Sequence, residues 1–124
     1  MIRTGRIEAG LAAISTSRKA IETLVSKDAA SDHFRIWHIM IVATQARAFA
    51  AWSDEASSPF AERRQRLVQA ETHLTTAETL SQASKSKAPE LILRPARAEV
   101  ATAKVKLQDT NTSNSGPPSQ TQKQ

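Results

Sequence analysis

The chain has 124 residues, enough for one small domain, and it contains no Cys, which excludes disulfides and thiolate metal sites. Its formal net charge of +5 permits binding to nucleic acid, acidic protein or anionic lipid without requiring any of them. Gly is scarce, only 4% of residues are aromatic, and apolar residues recur at helical spacing, all of which favours an all-α domain over a sheet.

The first predicted helix extends from about Arg6 to Val25 and carries one apolar seam. Its members are spaced as in a heptad repeat: Ile7, Leu11, Ile14, Ile21 and Val25. Arg18 stands in line with them. Two interpretations of Arg18 are open, because its stem can follow the seam while the guanidinium reaches water, or its charge can pair with an acidic partner and specify the packing.

The second predicted helix is apolar on two opposite sides. It begins near Asp28, which is suited to be its N-cap, has Asp32 near its first turn and ends around Trp52. One side carries the core or interface candidates Phe34, Trp37, Ile41 and Trp52, together with Ala48. The other side consists of Ile36, Ile39, Val42, Ala43, Ala46 and Ala50. A helix with two apolar sides must be covered on both, so this one is predicted to be the hub of a bundle or to lie in an interface.

A polar line separates the two apolar sides of the second helix. His38 and Gln45 are seven residues apart and therefore share a face. Such a line can orient neighbouring helices or line a small pocket, and it can equally be the boundary between core and solvent.

Ser and Pro mark the start of the third predicted helix. Ser58 is predicted to cap it, with Pro59 at its first helical position, where a missing N–H costs nothing. The helix runs to about Ser84. Its apolar stripe is narrow and consists of small and medium-sized residues, Leu67, Ala70, Leu74 and Ala77.

The fourth predicted helix has a seam of Leu93, Ala96, Val100, Ala103 and Leu107. Pro95 lies inside this pattern, so the main helix is predicted to begin near Pro95, with residues 90–93 as a separate turn. From Thr110 onward no apolar residue is available for burial, which is typical of disorder. The sequence thus predicts an all-α, up-and-down bundle of four helical segments over residues 1–108 and a disordered polar tail over residues 109–124.

Motifs of catalysis and of metal binding are missing from the sequence. It has no Gly-rich phosphate loop, no Ser-His-Asp order and no suitably spaced pair of carboxylates. Glu71 and His73 have one residue between them, whereas a di-iron bundle needs Glu-x-x-His pairs on two helices. We therefore expect no enzyme activity, no metal and no cofactor.

One pair of residues resembles a catalytic signature. Arg66 and His73 have six residues between them, which is similar to the Arg-x4-6-His signature of the HEPN ribonucleases, themselves helical bundles. Leu67 follows Arg66, where that family usually has a polar residue. The resemblance implies a ribonuclease as a distant alternative.

Basic residues of the third and fourth helices suggest a nucleic-acid-binding face. The candidates are Arg63, Arg64, Lys87, Arg94, Arg97 and Lys104. Neither a helix-turn-helix glycine turn nor an interleaved aromatic surface accompanies them. They form either a solvated face or the contact line of an accessory protein that binds phosphates without reading bases.

The leading functional hypothesis is a non-catalytic interaction protein, such as a small adaptor, a chaperone-like protein or a regulatory subunit. It rests on the surplus of apolar helix surface and on the missing catalytic motifs, and the protein partner can be a second copy of the chain. The apolar run from Ile36 to Ala43 is shorter than the roughly 20 residues of a membrane span, and no signal-peptide cleavage site is evident. A cytoplasmic protein without a membrane span is expected.

Overall fold

The computed structural model describes residues 2–84 and 86–115, over which it has four helices and no strand. The helices are α1 (Ile2–Lys27), α2 (Asp32–Ser53), α3 (Phe60–Gln82) and α4 (Ala88–Ser115). This confirms the predicted all-α, up-and-down bundle. Helix α4 continues past residue 108, where the bundle domain was predicted to end. Residues 116–124 of the predicted tail lie outside the described residues.

Helix α2 is the centre of the molecule, as its two apolar sides predict, because it packs against each of the other three helices. Its buried side forms two adjoining clusters with α3 and α4. The first cluster contains Ala46, Ala50, Leu67, Ala70, Val100, Ala103 and Leu107. The second contains Ile39, Val42, Ala43, Ala77, Leu93 and Ala96. We refer to α2, α3 and α4 together as the three-helix core.

Helix α1 lies outside the three-helix core and packs on α2. Within residues 2–84 and 86–115 its backbone does not approach that of α3 or α4. Ile21 is its one buried side chain between residues 6 and 27, and the other four apolar residues of its seam are half-buried: Ile7, Leu11, Ile14 and Val25. The bundle is therefore a compact core of three helices with a fourth attached along one of them.

The second apolar side of α2 is incompletely covered. Trp37 is 48% exposed, and Phe34, Ile41 and Trp52 are half-buried. These four side chains lie outside the two buried clusters, which use the opposite side of the helix. That they belong to an interface stays a prediction.

Two helix starts differ from the predicted ones by a few residues. The N-cap of α2 is Ser31 rather than Asp28, because the Ser31 side chain accepts a hydrogen bond from the Phe34 N–H, at 3.2 Å. Asp28 instead closes the turn, with its carbonyl accepting from the Ser31 N–H. Helix α3 begins at Phe60, with Pro59 in the cap position, while the Ser58 hydroxyl donates to Glu55 and leaves the helix uncapped by a side chain.

Pro95 does not start α4 but lies inside it, and residues 90–93 belong to the same helix, which begins at Ala88. A proline at this position removes the hydrogen bond to the carbonyl of Leu91, four residues earlier. Leu91 is 67% exposed and Pro95 is also exposed, so water can replace the missing donor. The solvent-facing side of the helix is where such a residue is tolerated.

Two leucines of α4 test the position of the core. Leu93 is 1% exposed, whereas Leu91 is 67% exposed on the same helix. Leu93→Ala is expected to lower the free energy of unfolding by about 2–5 kcal/mol, because it leaves a cavity in a packed core. Leu91→Ala, the matched control, should change it by no more than about 0.5 kcal/mol. Urea unfolding followed by circular dichroism measures both, and equal losses would contradict the assigned core.

Candidate functional site

Five polar side chains connect α1 to the three-helix core, and we call them the Arg18 cluster: Arg18, Glu22, His38, Gln45 and His73. Arg18 Nε donates to Glu22 Oε2 at 2.9 Å, and Arg18 Nη1 donates to Gln45 Oε1 at 2.9 Å. The same Nη1 lies 3.2 Å from His73 Nδ1 on α3. His38 Nε2 lies 3.3 Å from Glu22 Oε2. One guanidinium thus contacts side chains on three helices.

The position of these residues in the sequence explains how the cluster forms. Arg18 occupies an apolar seam position of α1, so it faces α2 instead of solvent and is only half-buried there. His38 and Gln45 share a face of α2 and meet it. Of the two interpretations of Arg18, the structure favours the second, with Glu22 of its own helix as the acidic partner. The polar line on α2 orients a neighbouring helix.

Charge and burial in the cluster shift two pKa values. The hydrogen bond from Arg18 lowers the pKa of the Glu22 carboxyl. Burial, and secondarily the charge of Arg18, lowers the pKa of the His73 imidazole. A guanidinium can only donate, so its contact with His73 Nδ1 requires a neutral ring with the proton on Nε2. Protonation of His73 would place two cations against each other.

His38 carries a buried ring nitrogen without a partner. Nε2 faces the Glu22 carboxylate, which can only accept, so this nitrogen holds a proton. Nδ1 is buried with no hydrogen-bond partner in the described part of the chain.

A cavity of about 440 Å³ lies beside the Arg18 cluster. Leu11 and Phe49 supply apolar walls, and Phe49 also stacks on the His73 ring with centroids 5.4 Å apart. Lys19 and Ser15 lie at the same cavity. Over the described residues, no group of three or more His, Asp or Glu side chains is placed to hold a metal ion. The polar groups of this site connect α1, α2 and α3 to one another through hydrogen bonds.

The six predicted phosphate-binding residues fall into two sets. Three of them already contact acidic groups. Arg63 is buried, donates to the Ser53 carbonyl at 2.8 Å and lies 3.8 Å from Asp54. Arg97 lies 2.8 Å from both Glu78 and Glu90, and Lys104 lies 3.6 Å from Glu71. Their charges are largely compensated within the protein.

The remaining three candidates, Arg64, Lys87 and Arg94, are exposed. Arg64 lies with Lys104 at a groove of about 460 Å³, and Lys87 lies with Arg94 at a second groove of about 560 Å³. Because α3 and α4 are antiparallel, these grooves are at opposite ends of the helix pair. The three exposed cations are therefore separated along the helix pair, and Arg97 and Lys104 lie between them with their acidic partners.

The structure separates the pair that resembles the ribonuclease signature. Arg66 and His73 contact different groups of residues. The Arg66 guanidinium lies over the Trp52 ring, 4.0 Å from its centroid. It also donates to the Ser58 hydroxyl at 2.8 Å and pairs with Glu55 at 3.4 Å, which fastens the α2–α3 turn. His73 instead contacts Arg18. Both side chains have structural contacts, and a ribonuclease function stays untested.

Three exposed apolar side chains lie close to the α1–α2 turn, and we call them the outer patch: Leu24, Trp37 and Met40. They are 39%, 48% and 46% exposed. At about 100° per residue, Trp37 and Met40 are neighbours on α2, and Leu24 lies on the flank of α1 away from the Arg18 cluster. Glu22 contacts His38, so Leu24, two residues further along α1, is at about the same height along α2 as Trp37. The His33 ring contacts the Trp37 ring in a tilted arrangement, with centroids 4.9 Å apart.

Sequence reasoning singled out Trp37 but missed Leu24 and Met40. Met40 belongs to neither apolar side of α2 in the helical projection. This position was the feature of the sequence that could have indicated a side chain facing solvent. The other exposed large apolar residues, Val68, Leu91 and Val105, are distributed over α3 and α4.

No protein family, curated protein or solved structure matches this chain. None of the helices, over the residues described, has the length and hydrophobicity needed to cross a bilayer.

The stability of the protein should fall at mildly acidic pH. The folded-state pKa of His73 lies below its ordinary value of 6.5, so the unfolded chain binds a proton first as the pH falls, and the free energy of unfolding decreases below about pH 6.5. The lowered pKa of Glu22 acts in the same direction, below about pH 4.5. Urea unfolding at about pH 7.5 and about pH 5.5 measures the first effect. His73→Gln should reduce it and the control His33→Gln should retain it; an unchanged pH dependence in His73→Gln would contradict this account.

Two adjacent arginines test the burial of charge. Arg63→Ala removes the donor to the buried Ser53 carbonyl and should lower the free energy of unfolding by about 1–3 kcal/mol. Arg64→Ala, the matched control at the exposed neighbouring position, should have an effect within about 0.5 kcal/mol. Thermal or urea unfolding checks both variants, and a silent Arg63→Ala would show that this contact is dispensable.

Proposed function

We propose that the chain is a non-catalytic protein-interaction module of the cytoplasm, acting as an adaptor or regulatory subunit, and that the outer patch is its docking surface. The observation that supports this most is the exposure of Trp37 and Met40 side by side on the central helix. Trp is the residue most enriched at the energetic centre of protein interfaces. Met adapts its shape to different partners.

The geometry of the patch is suited to a helix from another protein. Leu24 on α1 and Trp37 on α2 belong to two neighbouring antiparallel helices, so exposed apolar side chains of both helices are available to one partner. An amphipathic helix places apolar residues at intervals of three and four along one face, and such a face can cover a row of apolar side chains. The tilted contact of the His33 ring with Trp37 restricts the indole before a partner arrives, which reduces the entropy lost on binding.

The distribution of charge supports an apolar contact over a phosphate contact. Arg63, Arg97 and Lys104 have acidic partners within the protein. Arg64, Lys87 and Arg94, which have no ion pair with an acidic residue in the described part of the chain, are divided between the two ends of the α3–α4 pair. Nucleic-acid binding through a basic face therefore remains the alternative function, with these three residues as its remaining support.

The docking surface can be tested by replacing its two central residues. Trp37→Ser combined with Met40→Ser should weaken capture of the natural partner from a host extract at least tenfold, because a buried indole at an interface contributes more than about 2 kcal/mol. The matched control is Leu91→Ser with Val105→Ser, which removes two apolar residues of α4 that are more exposed than Trp37 and Met40. Mass spectrometry of the captured proteins, with circular dichroism to verify folding, gives the result. Equal capture by both variants would contradict the proposal.

The alternative has its own test. Titration of labelled duplex and single-stranded nucleic acid at about 50 mM salt should detect even non-specific phosphate contacts. The proposed function predicts no binding there. Binding that weakens in Arg64→Ala with Arg94→Ala, and that declines steeply with salt, would favour the nucleic-acid function instead.

A further inference from the structure

The cavity of about 440 Å³ beside the Arg18 cluster is enclosed by side chains of three helices. Leu11 and Lys19 come from α1, Phe49 comes from α2 and His73 comes from α3. Lys19 is exposed and therefore marks the side on which the cavity opens to solvent. Sites for small molecules commonly measure about 300–1,000 Å³, so this cavity has the size of a small organic ligand and not of a peptide.

Two hydrogen-bond donors at this cavity are not used by the contacts of the described residues. Gln45 is only 6% exposed, and its Oε1 accepts from Arg18, which fixes its amide nitrogen as a donor. That nitrogen has no partner in residues 2–84 and 86–115. Arg18 donates through Nε and Nη1, and its Nη2 has no partner over the same residues. Because buried polar groups are normally paired, these donors indicate an acceptor from outside the chain.

The charges around the cavity leave one cation in excess. Arg18 pairs with Glu22 at 2.9 Å. The lowered pKa of His73, which burial causes together with the charge of Arg18, keeps its imidazole neutral at pH 7. Lys19 has no ion pair with an acidic residue in the described part of the chain. A ligand with a single negative charge would balance this ammonium group.

The remaining walls of the cavity are apolar. Leu11 and Phe49 are both half-buried, so each can be covered further by a ligand. The Phe49 ring stacks on the His73 ring with centroids 5.4 Å apart, which restricts its orientation. A ligand for this cavity therefore combines a hydrogen-bond-accepting anion with an apolar body.

We propose that this cavity binds a small organic monocarboxylate whose apolar body is an aromatic ring or a short aliphatic chain. The carboxylate accepts hydrogen bonds from Arg18 Nη2 and the Gln45 amide, and the Lys19 ammonium balances its charge. Hydrogen bonds between a guanidinium and a carboxylate are stronger than those between neutral groups. The apolar body packs against Leu11 and Phe49. This site does not use the outer patch, so the inference goes beyond the proposed docking function and does not depend on it.

Binding at this cavity would strengthen the attachment of α1. The proposed ligand contacts Lys19 and Leu11 on α1 together with Gln45 and Phe49 on α2, so it binds only while the two helices are packed together. A ligand that binds only the closed form stabilises that form by mass action. Phenylacetate at saturation should therefore slow the hydrogen exchange of α1 amides.

Titration of the full chain with phenylacetate, followed by two-dimensional NMR of the backbone amides, tests the site. A saturable change with a dissociation constant of roughly 1 mM is expected for a ligand of this size. The shifted amides should be concentrated around Ser15, Gln45 and His73. Phenylacetamide, which lacks the charge, and acetate, which lacks the ring, should each bind at least about tenfold more weakly.

Two outcomes of this titration would overturn the inference. The first is the absence of saturable shifts up to about 20 mM phenylacetate, well above the expected dissociation constant. The second is equal binding of phenylacetamide, since the site would then not recognise a carboxylate.

A pair of charge reversals on α1 separates a specific site from general attraction. Lys19→Glu should weaken phenylacetate binding at least about tenfold, because it places a negative charge at the cavity. Lys27→Glu is the matched control, since it changes the net charge equally at the exposed end of the same helix. It should alter binding by no more than about twofold. Circular dichroism verifies folding, and Lys19→Gln provides a milder second variant.

Equal weakening by Lys19→Glu and Lys27→Glu would show attraction by net charge alone and overturn the site. Hydrogen exchange gives an independent result. Phenylacetate should slow exchange of α1 amides in the unmodified chain and in Lys27→Glu, and should not slow it in Lys19→Glu. Exchange that is unchanged by phenylacetate in the unmodified chain would contradict a ligand held between α1 and α2.

Discussion

Close packing of the alanine side of α2 determines where everything else in this molecule lies. Ala43, Ala46 and Ala50 are almost inaccessible to solvent and meet alanines of the neighbouring helices, such as Ala70 and Ala96. Small side chains let helix axes approach closely, while larger residues such as Leu93 fill the spaces between them. Once α3 and α4 occupy this side of α2, the side that carries Phe34 and Trp37 remains for other contacts.

Helix α1 covers that second side only in part. It is held on α2 by polar contacts as well as by apolar ones. A single arginine binds side chains of α1, α2 and α3, and removing α1 would leave Gln45 and His73 without this partner. Polar networks of this kind fix the register of a helix more than they add to its stability. The exposed outer patch beside the α1–α2 turn is the consequence of incomplete cover. The proposed docking surface follows from this one feature.

The helical period was sufficient to predict the number of helices, the central position of α2 and its two apolar sides, since these depend on local spacing. It did not show that the side with Ala43, Ala46 and Ala50 is the one packed in the core. The start of α2 was predicted too early in the sequence, because Asp28 and Ser31 are both suitable N-cap residues. Only the geometry of the turn selects Ser31. Pro95 was placed at a helix start because its exposure, which makes an interior position tolerable, is a property of the packed fold.

The site residues were harder to predict, since their roles depend on which helices become neighbours. Arg63 and Arg64 are adjacent residues of the same type. Arg63 is nevertheless buried and donates to the Ser53 carbonyl, whereas Arg64 is exposed. The compensation of Arg97 was partly visible, because Glu90 precedes it by seven residues on the same face. Its second partner, Glu78 on α3, could not be read from periodicity. Such partners depend on how the helices pack against each other, and the spacing of residues along one helix does not show this.

Native-state hydrogen exchange on the full chain tests the central claim most directly, that α1 is attached to an independently packed core of three helices. Amides of α1 should exchange through a partial opening whose free energy is lower than that of global unfolding. Amides of α2 between Ile39 and Ala50, at the centre of the core, should exchange only when the whole chain unfolds. A single opening free energy shared by all four helices would contradict the account.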